Sequence, residues 1–388
     1  MAHHRTVAIS LSFLALITLP AAAQLWDVDG NRLAPGTGTD DPPGTKLLEF
    51  KLKTRPQGLA VAGDSLYVMF RPNIYEIDRK TGAVKTTILL TGAPSGYSPF
   101  GLGFDLRRNA FIICDSSLYS IVLADLSGKV LNSVSVSPNR NVGAAYDSNR
   151  DGYWITSWSN NQLTLYDAGN LPKVIRTISL AAVGATRPAG TAFSAENDLV
   201  YTSSRDKKMG YAFDAATGKL LSSWPLVNRG TNNGQGAAWW DRWQSPVVTD
   251  YETFNVTFSD AGYPRVQAAE TVKVGQNLAI GWVAANSAAR SYQAAASFTE
   301  RVAGFVFPPR YVPIAPDALF ALSVLNPAIF ASFAGVLDGN GTALGAVSIP
   351  NVPQLAGIPF SIAWVTVDAA APFGILAISG PWKAKITS

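Results

Sequence analysis

Chemistry in this chain has to come from carboxylates, amides and guanidinium groups. Only two of the 388 residues are histidines, His3 and His4, and both precede an apolar run that begins at Val7. If that leader is removed, no imidazole remains to act as a general base, to activate a nucleophile or to bind a metal. The single cysteine, Cys114, excludes an internal disulfide and a cysteine zinc site, and its place before Asp115 suits the buried end of a strand. Asp115, Asp250 and Glu252 are the carboxylates that would serve as acid, base or ligand in a glycosidase or lactonase, a chemistry that needs no histidine. Asp115 and Asp250 are also the candidate calcium ligands, since calcium takes oxygen donors. A second set suits binding without catalysis: Arg55, Arg71, Arg140, Arg187 and Arg205 with Asn160, Asn161 and Asp206. Arginine forks hold anionic or polar groups bidentately. The exposed indoles expected at Trp158 and Trp243 add flat faces on which sugar rings stack. The competing reading makes these charges a solvated rim and the aspartates turn caps.

The spacing of these residues indicates what must position them. Five segments open on a small-residue strand: Gly58-Leu-Ala-Val, Gly101-Leu-Gly-Phe, Gly143-Ala-Ala-Tyr, Gly190-Thr-Ala-Phe and Gly236-Ala-Ala-Trp. The glycines are separated by 43, 42, 47 and 46 residues, and each is followed 24 to 28 residues later by a turn glycine. Pairs of β-rich runs lie between, and another alternating strand follows each turn. Four strands in such a period make one blade of a β-propeller, with the small residues where blades crowd the axis. The stretch Thr45-Lys-Leu-Leu-Glu-Phe-Lys-Leu52 reads like the outer strand of a further blade and has no blade of its own. Placed beside the last blade it closes the ring and covers the edges. Five blades closed this way are expected over 45–262; the alternative is six, drawing on Val266–Val274. In either ring the arginines precede first strands or follow second strands. Both kinds of loop share one face. Trp154 and Trp239, on alternating strands, are expected to pack between blades.

The proline-led openings Arg55-Pro56-Gln57-Gly58 and Arg187-Pro188-Ala189-Gly190, with the D-x-x-T-G hairpins, resemble NHL and YVTN propeller repeats. That resemblance implies an architecture which serves many functions. The run Ala212-Phe-Asp214-Ala-Ala-Thr-Gly218-Lys219 resembles a pyrroloquinoline-quinone repeat, but Trp224 falls two positions late, so no quinone is expected.

From Tyr263 the period disappears, while alternating strands continue at Leu278–Ala284, Tyr292–Phe298, Gly304–Phe307, Phe333–Leu337, Ala343–Ile349 and Phe360–Asp368. Turns at Asp338-Gly-Asn-Gly341 and Pro350-Asn-Val-Pro353 separate the last three, as in a β-sandwich over 263–388. Asp317-Ala-Leu-Phe-Ala-Leu-Ser-Val fits a short helix or a strand. The order of motifs from Phe333 to Asp368 resembles a C-terminal domain of exported proteins from planctomycete-like bacteria. It implies an accessory module without catalytic residues.

Residues 1–23 carry Arg5, an apolar run, Pro20 and Ala21-Ala-Ala23, the pattern of a Sec-type signal peptide, followed by a linker over 24–44. The apolar run is too short to span a bilayer, and no membrane insertion is expected. Charged residues make up only 15% and the net charge is +4, too slight to indicate nucleic acid. The expectation is an all-β exported protein, secreted, periplasmic or surface-bound. It would bind a glycan or other polar polymer, an envelope component or a protein through the loop face, with no cofactor unless calcium. A carboxylate hydrolase and a structural surface component are the rivals.

Overall fold

The computed structural model describes residues 46–388 apart from 80, 137–139, 227–233, 242–243 and 308–309, and apart from the side chains of 234–235 and 300–307. The expected signal peptide and linker lie outside the described residues.

The chain is all-β, as its alternating patterns predicted, and its first part is a propeller of four-stranded antiparallel sheets. The first sheet comprises Gly58–Ala62, Ser65–Phe70, Asn73–Ile77 and Val84–Ile88. The second runs through Pro99–Asp105, Ala110–Asp115, Ser120–Asp125 and Val130–Ser135. The third is Asn141–Asp147, Gly152–Ser157, Gln162–Asp167 and Val174–Ser179, and the fourth Pro188–Ser194, Leu199–Ser204, Met209–Asp214 and Leu220–Pro225. Gly234–Trp240, Ser245–Asp250 and Asn255–Ser259 begin a fifth. Its outer position is filled by Lys46–Lys51, antiparallel to Asn255–Ser259 with Glu49 opposite Thr257 and Phe50 opposite Val256.

Burial explains the strand sequences. Ala110-Phe-Ile-Ile-Cys-Asp115 is buried at every position because a neighbouring sheet covers each face. Such strands read as continuous apolar runs. The outer strand Val130–Ser135 is mostly exposed, and there polar residues alternate. At the axis the first strands touch backbone to backbone. A Cβ on Gly143 would fall 2.6 Å from the Gly190 carbonyl carbon, and one on Gly236 would fall 2.8 Å from the Leu59 nitrogen. The second of these contacts joins the fifth sheet to the first. The ring is closed.

At the end of the ring away from the second-to-third strand turns, charged latches join adjacent sheets. Arg108 reaches Asp105 of its own sheet at 2.9 Å and Asp151 of the next at 2.7 Å. One sheet later Arg150 repeats this with Asp147 at 2.9 Å and Asp198 at 2.6 Å.

The later residues form a four-stranded sheet, a six-stranded sheet and the hairpin Glu300–Phe307 with Arg310–Ile314. One sheet orders Arg265–Ala268, Asn277–Val283, Thr342–Ser348 and Phe330–Ala331. The other orders Thr271–Lys273, Trp382–Thr387, Pro359–Val367, Ser291–Ser297 and Ala334–Val336, with Ile375–Ile378 also against Pro359–Val367. Val266–Val274, which a sixth blade would have used, is thus divided between these two sheets. Asp317 starts a helix, Ala318–Leu325, by accepting from the Phe320 amide, so the ambiguous 317–324 stretch is helical. Trp282 and Trp364, from the two sheets, meet at 5.7 Å.

Both residues belong to an apolar cluster that runs on without a break into Phe50, Leu66, Trp240 and Phe258 of the propeller. Polar ties cross the same junction. Arg79 pairs with Glu270 at 2.7 Å, and Asn197 exchanges two hydrogen bonds with the Ile378 backbone.

Candidate functional site

The face that carries the loops before first strands and after second strands holds an open pocket of about 390 Å³. Arg140, Trp158, Ser159, Arg187 and Arg205 line it. Backbone pairing between the two kinds of loop sets these residues in place. The Trp158 amide donates to the Arg140 carbonyl at 2.9 Å, and the Arg205 amide to the Arg187 carbonyl at 3.1 Å. Arg187 sits in the left-handed region at φ 46°, where its amide donates to Asn161 Oδ1 at 3.0 Å across the sheet boundary.

The side chains then assemble around the indole. The Arg205 guanidinium lies 5.1 Å from the Trp158 ring centroid and that of Arg187 lies 6.0 Å away, both within cation–π range. Trp158 is in turn 6.4 Å from Phe100, whose ring carries Arg71 at 5.4 Å. Arg71 is fixed there by a hydrogen bond from Nε to the Pro99 carbonyl at 2.9 Å. Cations and aromatic rings therefore form one belt from the first sheet to the fourth.

The negative charge near the belt comes from two exposed carboxylates, Asp206 and Glu252, both felt by Arg205. Asp206 approaches Arg187 at 3.6 Å, with both side chains well exposed, a weak pair by that measure. Arg140 is exposed and has no ion-pair partner among the described residues. Burial, and then the like charge of Arg187, push the Arg205 pKa below its ordinary value. Its Nε is buried without a hydrogen-bond partner. An acceptor in the pocket would relieve both penalties.

The acidic candidates are placed differently. Asp115 is fully buried, and its carboxylate accepts from three backbone amides: Ser117 at 2.7 Å, Leu118 at 2.8 Å and Ser98 at 2.9 Å. Asp250, also buried, accepts from Glu252 at 2.8 Å and Thr253 at 2.9 Å, while its Oδ2 has no partner. The equivalent positions in the third and fourth sheets are Ser157 and Ser204, whose hydroxyls accept from Asn160 and Lys207. Closing the second-to-third strand turn is therefore what this position does in four sheets. Asp115 and Asp250 stand in sheets that are not neighbours in the ring, and Glu252 is exposed beside Asp250. What the structure shows of the expected hydrolase set is this turn-closing role at Asp115 and Asp250. Among the described residues no three His, Cys, Asp or Glu side chains are grouped as a metal would require.

Of the other candidates, Arg55 lies over Tyr251 at 5.1 Å, away from the pocket. Asn160 and Asp206 are exposed on turns beside it. Trp243 lies outside the described residues. Trp154 and Trp239 are buried, as expected of residues packed between blades. Sequence reasoning missed Ser159 and Phe100. Phe100 follows Pro99 at the head of a first strand and looks like core, and only its offset from the alternating positions marks it. A second cavity, about 160 Å³, follows the axis toward the opposite end between first-strand residues such as Leu59, Ala144 and Thr191, with Tyr311 and Asp241 also lining it.

Fold and pocket together define a β-propeller with a basic, aromatic-backed recess on its loop face. Solved structures similar to it include the propeller domain of Cps50 (Swd1) from Myceliophthora thermophila, 9% identical with a TM-score of 0.36, over 51% of this chain and 66% of that one. A nidogen/laminin complex contains a chain 18% identical with a TM-score of 0.37, matched over 51% of this chain and 73% of that one. A protein of unknown function from Bacteroides caccae is 12% identical with a TM-score of 0.36, over 53% and 81%. No protein-family model and no curated protein matches the chain.

Proposed function

We propose that this is an exported binding protein whose five-bladed propeller presents its loop face to a polar polymer, a glycan or other envelope component, while 263–388 form an accessory β-sandwich. The observation that carries the reading is the pocket lined by Arg140, Trp158, Ser159, Arg187 and Arg205. Such convergence of forked donors on an indole suits recognition. The amide bonds that hold Asp115 favour binding over catalysis, because its oxygens are already engaged.

A glycan array probed with residues 24–388 tests this. Binding is expected to selected polar glycans and to disappear in Trp158→Ala and Arg205→Ala. Retention of every signal in both variants refutes the loop-face reading. Export is tested separately: the secreted chain should begin at Gln24, and recovery of an uncleaved chain from the cytoplasm refutes it.

A further inference from the structure

We infer that the pocket receives an oxyanion substituent, a carboxylate or sulfate ester, of an acidic polysaccharide; the inference rests on the loop-face reading above and names its ligand class. Three guanidiniums meet here against two exposed carboxylates, Asp206, loosely paired with Arg187, and Glu252, whose charge also reaches Arg205. Arg205 holds a buried Nε–H donor with no acceptor among the described residues. A buried donor without an acceptor is costly, and an oxyanion supplies both the acceptor and the opposite charge. The depressed pKa of Arg205, set first by burial and then by the charge of Arg187, agrees with a cation that an anion would stabilise.

The aromatic rings narrow the polymer class. Single-stranded nucleic acid binds by stacking bases on bare aromatic faces. Here Trp158 already carries two guanidiniums and Phe100 carries one, so the rings act as platforms for cations. A guanidinium over a ring keeps its in-plane N–H donors free for an acceptor. The pocket is flanked by the exposed Ser159 and Asn160, a hydroxyl and an amide of the kind that pair with sugar hydroxyls. Arg71, further round the belt, offers a second cation to a ligand whose charges repeat along a chain.

Isothermal titration calorimetry on residues 24–388 separates the possibilities. The probes are a polyuronate oligosaccharide, a sulfated oligosaccharide, a neutral glucan of equal length and a single-stranded oligonucleotide of equal charge. At least one acidic oligosaccharide should bind roughly tenfold or more tightly than the glucan, since charged hydrogen bonds separate them. The preference between polyuronate and sulfated chain identifies the source of the oxyanion. Added salt should weaken the binding. Arg140→Ala, at an exposed side chain without an ion-pair partner among the described residues, should weaken it several-fold without touching the fold. Arg205→Lys, which keeps the charge but loses the fork, should fall between wild type and Arg205→Ala. Equal affinity for the neutral glucan, abolished by Trp158→Ala, overturns the oxyanion assignment and leaves the loop-face reading standing. Tighter binding of the oligonucleotide overturns the polysaccharide class. Silence from all four probes overturns both readings.

Discussion

Gly143→Ala tests how the ring is held together. Gly143 does not lie at positive φ, so alanine meets no backbone strain there. Space alone decides. The new methyl would fall 2.6 Å from the Gly190 carbonyl carbon, 2.6 Å from Thr191 Oγ1 and 2.8 Å from Gly190 Cα. Two of these atoms are backbone of the next first strand, which is itself pressed against the strand after it. The third is a hydroxyl bonded to Thr156, so escape would break a buried hydrogen bond. Overpacking of this kind costs about 1–3 kcal/mol, and the hydrogen bond about 1 kcal/mol more. The stiffer unfolded chain returns about 0.4–1 kcal/mol. A net loss of about 1–3.5 kcal/mol follows. Gly339→Ala is the matched control, because no atom lies within 4 Å of its Cβ position and its φ is not positive. It should stay within about 0.5 kcal/mol of wild type. Urea titrations read both from the midpoint at unchanged slope. A Gly143→Ala midpoint equal to or above that of Gly339→Ala would refute backbone contact as the basis of ring closure.

Two further perturbations probe the polar framework. Asp115→Ala removes the acceptor for three backbone amides and should cost about 2 kcal/mol, within the range for buried donors left unmade; an unchanged urea midpoint would sink the turn-closing role. Asp151 is held below the ordinary aspartate range chiefly by its hydrogen bond from Arg108. Its stabilising contribution is therefore complete above the unfolded value near about pH 3.9 and is lost as pH falls through the lower folded value. Asp151→Asn should lower stability at pH 7 and flatten that acid loss, and a variant with the wild-type pH profile would contradict the assignment.

The ring was legible because its glycines repeat at an interval set by four strands, and because Thr45–Leu52 reads as an outer strand without a sheet. The arginines and Trp158 were legible for a related reason: strand order alone assigns both kinds of loop to one face. Asp115 and Asp250 were ambiguous, since a carboxylate at a strand end looks the same whether it faces substrate or closes a turn. Their counterparts Ser157 and Ser204, which perform the same task with hydroxyls, carry the distinction. Phe100 was hidden because an aromatic residue at the head of a first strand resembles core. In the later sheets the alternating runs placed strands such as Asn277–Val283 to within a residue or two, but pairing is not local. The parallel match of Thr271–Lys273 with Lys385–Thr387 joins residues far apart in the chain, and no periodicity announces it.

The seam of the ring has a consequence for how the protein is made. Glu49 meets Thr257 across 208 positions of chain, so the earliest strand waits for nearly the last strand of the propeller before it can pair. Until then the molecule is an open arc with two bare edges, the state in which foreign strands are most readily captured. The residues that meet at the seam, Phe50, Val256 and Phe258, belong to the same apolar cluster as Trp282 and Trp364. The part synthesised last thus packs over the joint that forms late. In a chain synthesised from its N-terminus, the later sheets act as a clasp, and the arc becomes a durable circle once they arrive.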